Sequence, residues 1–245
     1  MSATLQRLAS GWADVVFPPV CVDCRGLVED GGPYRHLCAR CASRLEFIRA
    51  PHCPTCGHPY YGAAEEGRRC EHCVTLEPAF REGRAAVLLK GPARALVLAL
   101  KYHGGEYVRE DVAAVFRRAP ALLAFVRGAQ LVPVPLHPRK ERERGYNQSA
   151  LIAACLAEAA GGGTRPAPLL RRVLDTPTQT ALDRRTRQEN LKNAFAPAAG
   201  GTLNPALHYI LVDDVFTTGS TLNRCAATLR RAGALKLDVG TFGHG

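Results

Sequence analysis

Apolar residues recur along this chain in two rhythms that change near residue 80. Past that point short apolar runs alternate with longer stretches of helical spacing. Residues 85–89, 130–134, 169–174, 208–212 and 237–242 read as strands, and 92–101, 107–127, 149–160 and 220–232 as helices. That alternation predicts an α/β fold, a parallel sheet flanked by helices. In such sheets ligands lie beyond the carboxyl ends of the strands, so the loops that follow the strands carry the candidate chemistry.

Before residue 80 the pattern is different. Leu5, Leu8, Trp12 and Val15 fall at helical spacing and predict an amphipathic N-terminal helix over 1–17. Residues 18–78 are rich in Gly and Pro and lack long apolar runs. They cannot build a sizeable core of their own, and cysteine supplies what the core does not. The predicted division is therefore an N-terminal helix over 1–17, a small metal-stapled unit over 18–78, and the α/β unit over 79–245.

Eight of the ten cysteines form four Cys-x-x-Cys knuckles: Cys21/Cys24, Cys38/Cys41, Cys53/Cys56 and Cys70/Cys73. Thirteen residues separate the first two knuckles and thirteen the last two. Two knuckles supply the four thiolates of a closed tetrahedral site, so the repeat reads as two zinc ribbons holding two structural zinc ions. Sequential pairing is the reading chosen here, although a cross-brace of first with third and second with fourth uses the same residues. Redox catalysis or an iron–sulfur cluster fits two quartets of equal spacing less well. Cys155 and Cys225 lie in apolar helical stretches and read as small core residues.

The N-terminus lacks a basic segment followed by an unbroken apolar one, which predicts a cytoplasmic protein whose thiols stay reduced. No apolar run approaches the roughly eighteen residues a membrane span needs. With 47% hydrophobic residues among 245, a real core is expected. The formal net charge is +10, but it is unevenly placed: residues 1–80 hold 8 Lys/Arg against 9 Asp/Glu, and the remainder 24 against 13. The basic part is the α/β unit, which favours anionic partners such as phosphates or nucleic acid.

The most informative segment runs from Tyr209 to Leu222. A buried strand ends in Asp213 and Asp214, and the chain then turns through Thr217, Thr218, Gly219, Ser220 and Thr221 into a helix. A helix N-terminus offers free N–H groups and the positive end of a dipole, hydroxyls add donors, and glycine permits close approach. That is a cradle for a phosphate monoester. Carboxylates just ahead of it can accept hydrogen bonds from vicinal sugar hydroxyls, so the implied ligand carries a ribose 5-phosphate.

A second strand, 130–134, runs into a segment with Arg139, Lys140, Arg142 and Arg144, followed by Gly145, Tyr146, Asn147 and Gln148. Four cations there could neutralise a leaving pyrophosphate, although Glu141 and Glu143 halve the charge. The Gly-Tyr-Asn-Gln end has no evident structural task and so points to a ligand. A third, long polar excursion over 175–195 joins two strands, with Gln179, Arg187 and Asn190 as its candidate contacts. Excursions of that length are commonly lids, and closure over a carbocation-like centre would exclude water.

The run from Asp213 to Thr221 resembles the phosphoribosyl diphosphate (PRPP) motif of type I phosphoribosyltransferases. That resemblance implies ribose hydroxyls on Asp213 and Asp214, the 5-phosphate on Thr217 to Thr221, pyrophosphate at the basic segment, and Mg²⁺ arriving with PRPP. Taken with the cysteine quartets, Leu100-Lys101-Tyr102-His103-Gly104 and the Arg-Gly-Tyr-Asn-Gln turn, nearly the whole chain is similar to the ComF family. Its competence members are implicated in bringing single-stranded DNA into the cytoplasm, so the resemblance implies single-stranded DNA and DNA-uptake proteins as partners. Three functions stay open: a PRPP-dependent transferase with no general base assigned, a PRPP-responsive binding protein, and a single-stranded-DNA or partner-docking module. Lys101 and His103 are further candidates for contact near the site.

Overall fold

The structure, a computed structural model, describes residues 18–29, 32–62, 67–74, 76–102, 104–173, 194–198 and 203–245. The predicted N-terminal helix, His103, and the third loop with Gln179, Arg187 and Asn190 lie outside the described residues.

The α/β unit contains β1 (Gly83–Leu88), β2 (Gln130–Pro133), β3 (Arg165–Pro166), β4 (Leu170–Arg172), β5 (Phe195–Pro197), β6 (His208–Phe216) and β7 (Lys236–His244). Five of them form one sheet in the order β1-β7-β6-β2-β3. Every pairing in it is parallel. Two one-turn helices, α1 (Ala39–Ala42) and α2 (Glu71–Val74), belong to the cysteine-rich unit. The longer helices are α3 (Gly91–Lys101), α4 (Arg109–Arg117), α5 (Pro120–Val126), α6 (Pro138–Arg144), α7 (Gln148–Ala160) and α8 (Ser220–Arg231). The expected parallel sheet flanked by helices, with a cysteine-rich unit in front, is the fold found.

Three elements differ from the periodicity. The stretch 107–127 divides into α4 and α5, because Pro120 cannot donate to the preceding turn and instead starts a new helix at its first position. The run 169–174 supplies β4, which pairs antiparallel with β5 outside the main sheet. The basic segment, read as a loop, contains α6. His137 Nδ1 accepts from Arg139 N–H at its start, Gly145 ends it at φ 83°, and Arg139 pairs with Glu143 one turn on.

Side chains alternate across the central strand as period two requires. Ile210 and Val212 join one buried cluster, while Tyr209 and Leu211 join the other. Both faces of the sheet are therefore covered, which is why β6 reads as a continuous apolar run. The cysteine-rich unit divides between the two faces. Cys21 and Cys41 sit in the cluster that holds α3, α4 and α7, whereas Cys53, Cys56, Cys70 and Cys73 sit in the cluster that holds α8. Between the quartets the chain passes along the free edge of β1, where Ile48 N–H donates to Ala86 O and Leu88 N–H to Glu46 O. That crossing covers an edge that would otherwise be open to intermolecular pairing.

Candidate functional site

The thiols settle the pairing that the spacing leaves open. Cys21, Cys24, Cys38 and Cys41 have their Sγ atoms within 4.8 Å of one another, and so do Cys53, Cys56, Cys70 and Cys73. The quartets are sequential, not cross-braced. Thiolates about 2.3 Å from a tetrahedral ion stand a little under 4 Å apart, and the Cys24–Cys38 and Cys56–Cys70 separations are 3.7 and 3.6 Å. Backbone N–H groups of Cys70 and His58 point at Cys53 Sγ and Cys56 Sγ, each at 3.4 Å, as donors suited to thiolate sulfur. The donor set fits two structural zinc ions.

Four elements converge on the carboxyl end of β6. Asp213 lies opposite Thr241 of β7, and Asp214 follows two residues before the end of β6 at Phe216. Ser149, in the first turn of α7, donates its hydroxyl to Asp213 Oδ1 at 2.8 Å, and the Asp214 N–H donates to the same oxygen at 2.9 Å. Lys101, the last residue of α3, brings Nζ to 2.6 Å from Asp214 Oδ2, an ion-pair contact outside aligned hydrogen-bond geometry. Burial, then the neighbouring Asp214 charge, pushes the Asp213 carboxyl up to about 7, against the opposing pull of Ser149, the Asp214 N–H and Lys101.

Past the acidic pair the chain leaves the sheet at Phe216 and turns into α8. Gly219 stands at the helix's N-cap with φ 70°, and a Cβ there would lie 2.7 Å from the Phe216 ring, so glycine is required on both counts. Thr217, Thr218, Ser220 and Thr221 are exposed. Thr218 Oγ1 and Ser220 Oγ are 3.0 Å apart. The Ser220 N–H, the first of α8, points back at Thr218 Oγ1 at 3.4 Å.

The basic segment follows β2, the neighbour of β6 in the sheet. Arg139 and Lys140 are exposed on α6. Arg144 donates to Gln148 Oε1 at 2.5 Å and lies over the Tyr102 ring at 5.8 Å. The Gly-Tyr-Asn-Gln end has structural tasks after all. Gly145 ends α6, the Tyr146 hydroxyl donates to Leu100 O, and Asn147 accepts from Ser149 N–H as the cap of α7 while donating to Val134 O. Gln148 is buried. These contacts place α7, and with it the Ser149 hydroxyl, against Asp213.

Comparison with known proteins agrees with the cysteine geometry and extends it to the whole chain. The family described as Double zinc ribbon domain matches residues 12–74. Competence protein F of Haemophilus influenzae is 29% identical over 228 residues, covering 89% of this chain and 94% of its own. DNA utilization protein YhgH of Salmonella typhimurium is 33% identical over 210 residues, covering 83% and 88%. The chain belongs to the ComF family. Competence protein ComFC of Bacillus subtilis is 27% identical across 82% of this chain and 80% of its own. Among solved structures, a hypoxanthine phosphoribosyltransferase from Staphylococcus aureus aligns over 54% of this ComF-family chain and 61% of its own, with TM-score 0.36 and 14% identity.

Two residues at the site escape a sequence reading. Ser149 looks like a second cap beside Asn147, and its link to Asp213 spans 64 positions. Asn223 sits inside α8, where a residue of poor helix propensity is itself a signal that the side chain serves a neighbour. No helix among the described residues is long and apolar enough to cross a membrane.

Proposed function

We propose that the carboxyl end of β6 in this ComF-family chain binds PRPP or another ribose 5-phosphate ligand, in the service of competence and DNA utilization. One observation carries the reading: the acidic pair of a central buried strand stands directly ahead of a glycine turn whose exposed hydroxyls crown the N-terminus of α8. Asp213 and Asp214 accept from the ribose hydroxyls. Thr217, Thr218, Gly219, Ser220 and Thr221 hold the 5-phosphate through N–H and hydroxyl donors. Arg139, Lys140, Arg144, Gly145, Asn147 and Gln148 border the diphosphate, with Arg139, Lys140 and Arg144 supplying positive charge. Gln179, Arg187 and Asn190 complete the proposed contact set. The hard carboxylate oxygens suit the Mg²⁺ that travels with a diphosphate, which would offset its charge.

The role in DNA uptake is supported by the names of the relatives, which are competence and DNA utilization proteins. The proposal keeps the division at 1–17, 18–78 and 79–245. A transferase reaction in this site works through positioning and charge stabilisation of a departing pyrophosphate. Calorimetric titration of Mg-PRPP into the zinc-loaded protein, beside a folded Asp213→Ala/Asp214→Ala variant, tests the site. Binding by the wild type that the variant loses is the expected result, and pyrophosphate release with candidate acceptors then separates enzyme from sensor.

A second reading has its own observation. A cleft of about 630 Å³ between the first cysteine quartet and α3 is lined by Arg25, Arg94, Leu98, Tyr102 and Tyr107. Tyr102 and Tyr107 are 61% and 41% exposed. Aromatic faces interleaved with arginines suit a single nucleic-acid strand, and Tyr102 lies under Arg144 at the edge of the ribose-phosphate mouth.

A further inference from the structure

The second cysteine quartet and the phosphate turn are joined by a short strap. After α2 the chain runs through residues 76–79 across the first turns of α8. Asn223 holds it there with both ends of its amide: Oδ1 accepts from Ala79 N–H at 2.7 Å, and Nδ2 donates to Glu77 O at 3.0 Å. Arg230, two turns on, donates Nε to Ala79 O at 2.9 Å. At the other end of the strap, Leu76 lies 3.5 Å from the position of a Cβ on Gly219. Asparagine weakens a helix interior because its amide competes for backbone groups, and here the amide is spent wholly on the strap.

The ribbon side is equally constrained. Gly83 N–H donates to Pro54 O at 2.9 Å, and a Cβ on Gly57 would stand 3.1–3.2 Å from the backbone of β1. Cys56 and Cys73 line a cleft of about 600 Å³ together with Thr217 and Thr218. The first quartet packs on the other face of the sheet.

We propose that Asn223 is a positioning residue that carries the metal state of the second quartet to the phosphate turn. Zinc fixes the ribbon, the ribbon fixes the strap, and Asn223 fixes the start of α8 to the strap. The turn at Thr217, Thr218 and Gly219 keeps its ligand-ready shape only while Cys53, Cys56, Cys70 and Cys73 hold their ion. The inference rests on reading that turn as the anion cradle, yet it can be measured without a ligand.

Hydrogen exchange on the zinc-loaded full chain reads it directly, with amides of Arg224, Cys225 and Ala226 compared against those of β6. Asn223→Ala is expected to speed exchange in that first turn by about tenfold or more, while β6 is unchanged and both zinc ions stay bound. Asn223→Asp, which keeps the acceptor for Ala79 N–H, recovers part of the protection. Cys70→Ser produces the same loosening with Asn223 intact, and Cys24→Ser in the first quartet does not. Unchanged exchange in both Asn223→Ala and Cys70→Ser overturns the proposal, as does equal loosening by Cys24→Ser. Mg-PRPP titrated into the same proteins should bind about tenfold more weakly to Asn223→Ala. If the exchange responds but the wild type takes up no PRPP, the positioning role stands and the ligand reading fails.

Discussion

Lys101 Nζ stands 2.6 Å from Asp214 Oδ2, so the end of α3 neutralises the second carboxylate of the acidic pair. The carboxylate is the more deeply buried partner, with side-chain exposure of 9% against 26% for the lysine. Removing the lysine leaves a buried negative charge beside Asp213, and cleaving such a pair costs more than the pair is worth. Lys101→Ala should destabilise the protein by about 2 kcal/mol, and Lys101→Ala/Asp214→Asn by clearly less. Denaturant titrations of the two variants and Asp214→Asn close the cycle. Additive effects would show that the two groups are not coupled.

Asp213 makes the site sensitive to pH near neutrality. Its carboxyl is raised to about 7 by burial and by Asp214, from an ordinary value of 3.8. The folded state therefore holds the proton more tightly than the unfolded chain, and stability rises as pH falls from above 7 toward 4. Asp213→Asn should raise the melting temperature by several degrees at pH 8 and by almost nothing at pH 4. Ligand binding runs the other way, since protonation turns one oxygen of an acceptor-only carboxylate into a donor and removes its charge. Affinity for Mg-PRPP should fall about tenfold per unit below pH 7 in the wild type. An unchanged difference in melting temperature between wild type and variant across this range would remove Asp213 as the titrating group.

The quartets should release two zinc ions per chain to a metal indicator after thiol displacement. Because they pack on opposite faces of the sheet, they should leave independently. Cys24→Ser is expected to retain one ion and Cys70→Ser the other. Loss of both ions from either single variant would mean that the ribbons fold as one unit.

The strands and most helices were legible because apolar periodicity is a local property, and the metal quartets because thiol spacing is. Pro120 marked its own helix break, although a continuous apolar stripe masked it. The charges of 138–144 dominate its sequence and suggest a loop, while the cap at His137 and the stop at Gly145 are what make it helical. Sequential pairing of the cysteines, the Ser149 bond to Asp213 and the Asn223 clamp were not legible, since each depends on packing between distant segments. Tyr102 and Tyr107, just after α3, meet the first ribbon's Arg25 only in the fold.

Asp238 ties three segments at the amino end of the sheet. Its side chain is 1% exposed and meets Arg81 Nη2 at 2.8 Å, His208 Nε2 at 2.7 Å and the Glu82 N–H at 3.0 Å. Burial alone would raise its carboxyl, but those donors outweigh it and hold the group at about 2. Its contribution is complete above the unfolded value of 3.8 and is lost as pH falls toward 2. Asp238→Ala should cost about 3 kcal/mol at pH 7 and progressively less through that window. Urea denaturation at pH 7 and pH 3 checks it, and equal costs at the two values would assign the loss to packing instead.

The cleft beside α3 predicts how a single DNA strand would bind. Tyr107 is braced edge-on by His36, with ring centroids 4.8 Å apart, and His36 is in turn held by buried Asp111, so the ring is presented rather than free to turn away. Tyr102 stands on the path from that ring to Arg144 and Lys101. A strand lying along α3 would stack bases on the two tyrosines, set its phosphates against Arg25 and Arg94, and end at the acidic pair. Stacking on tyrosine is indifferent to sequence but needs unpaired bases. Tyr102→Ala/Tyr107→Ala should weaken a labelled oligo-dT strand by at least about tenfold in fluorescence anisotropy while leaving duplex binding unchanged. Arg25→Ala/Arg94→Ala should instead flatten the salt dependence, by about 1.4 in the slope of log K against log salt. Equal losses for single strand and duplex would reduce the surface to plain electrostatics, and a change in sedimentation of the tyrosine variant would give the cleft to a second copy of the chain.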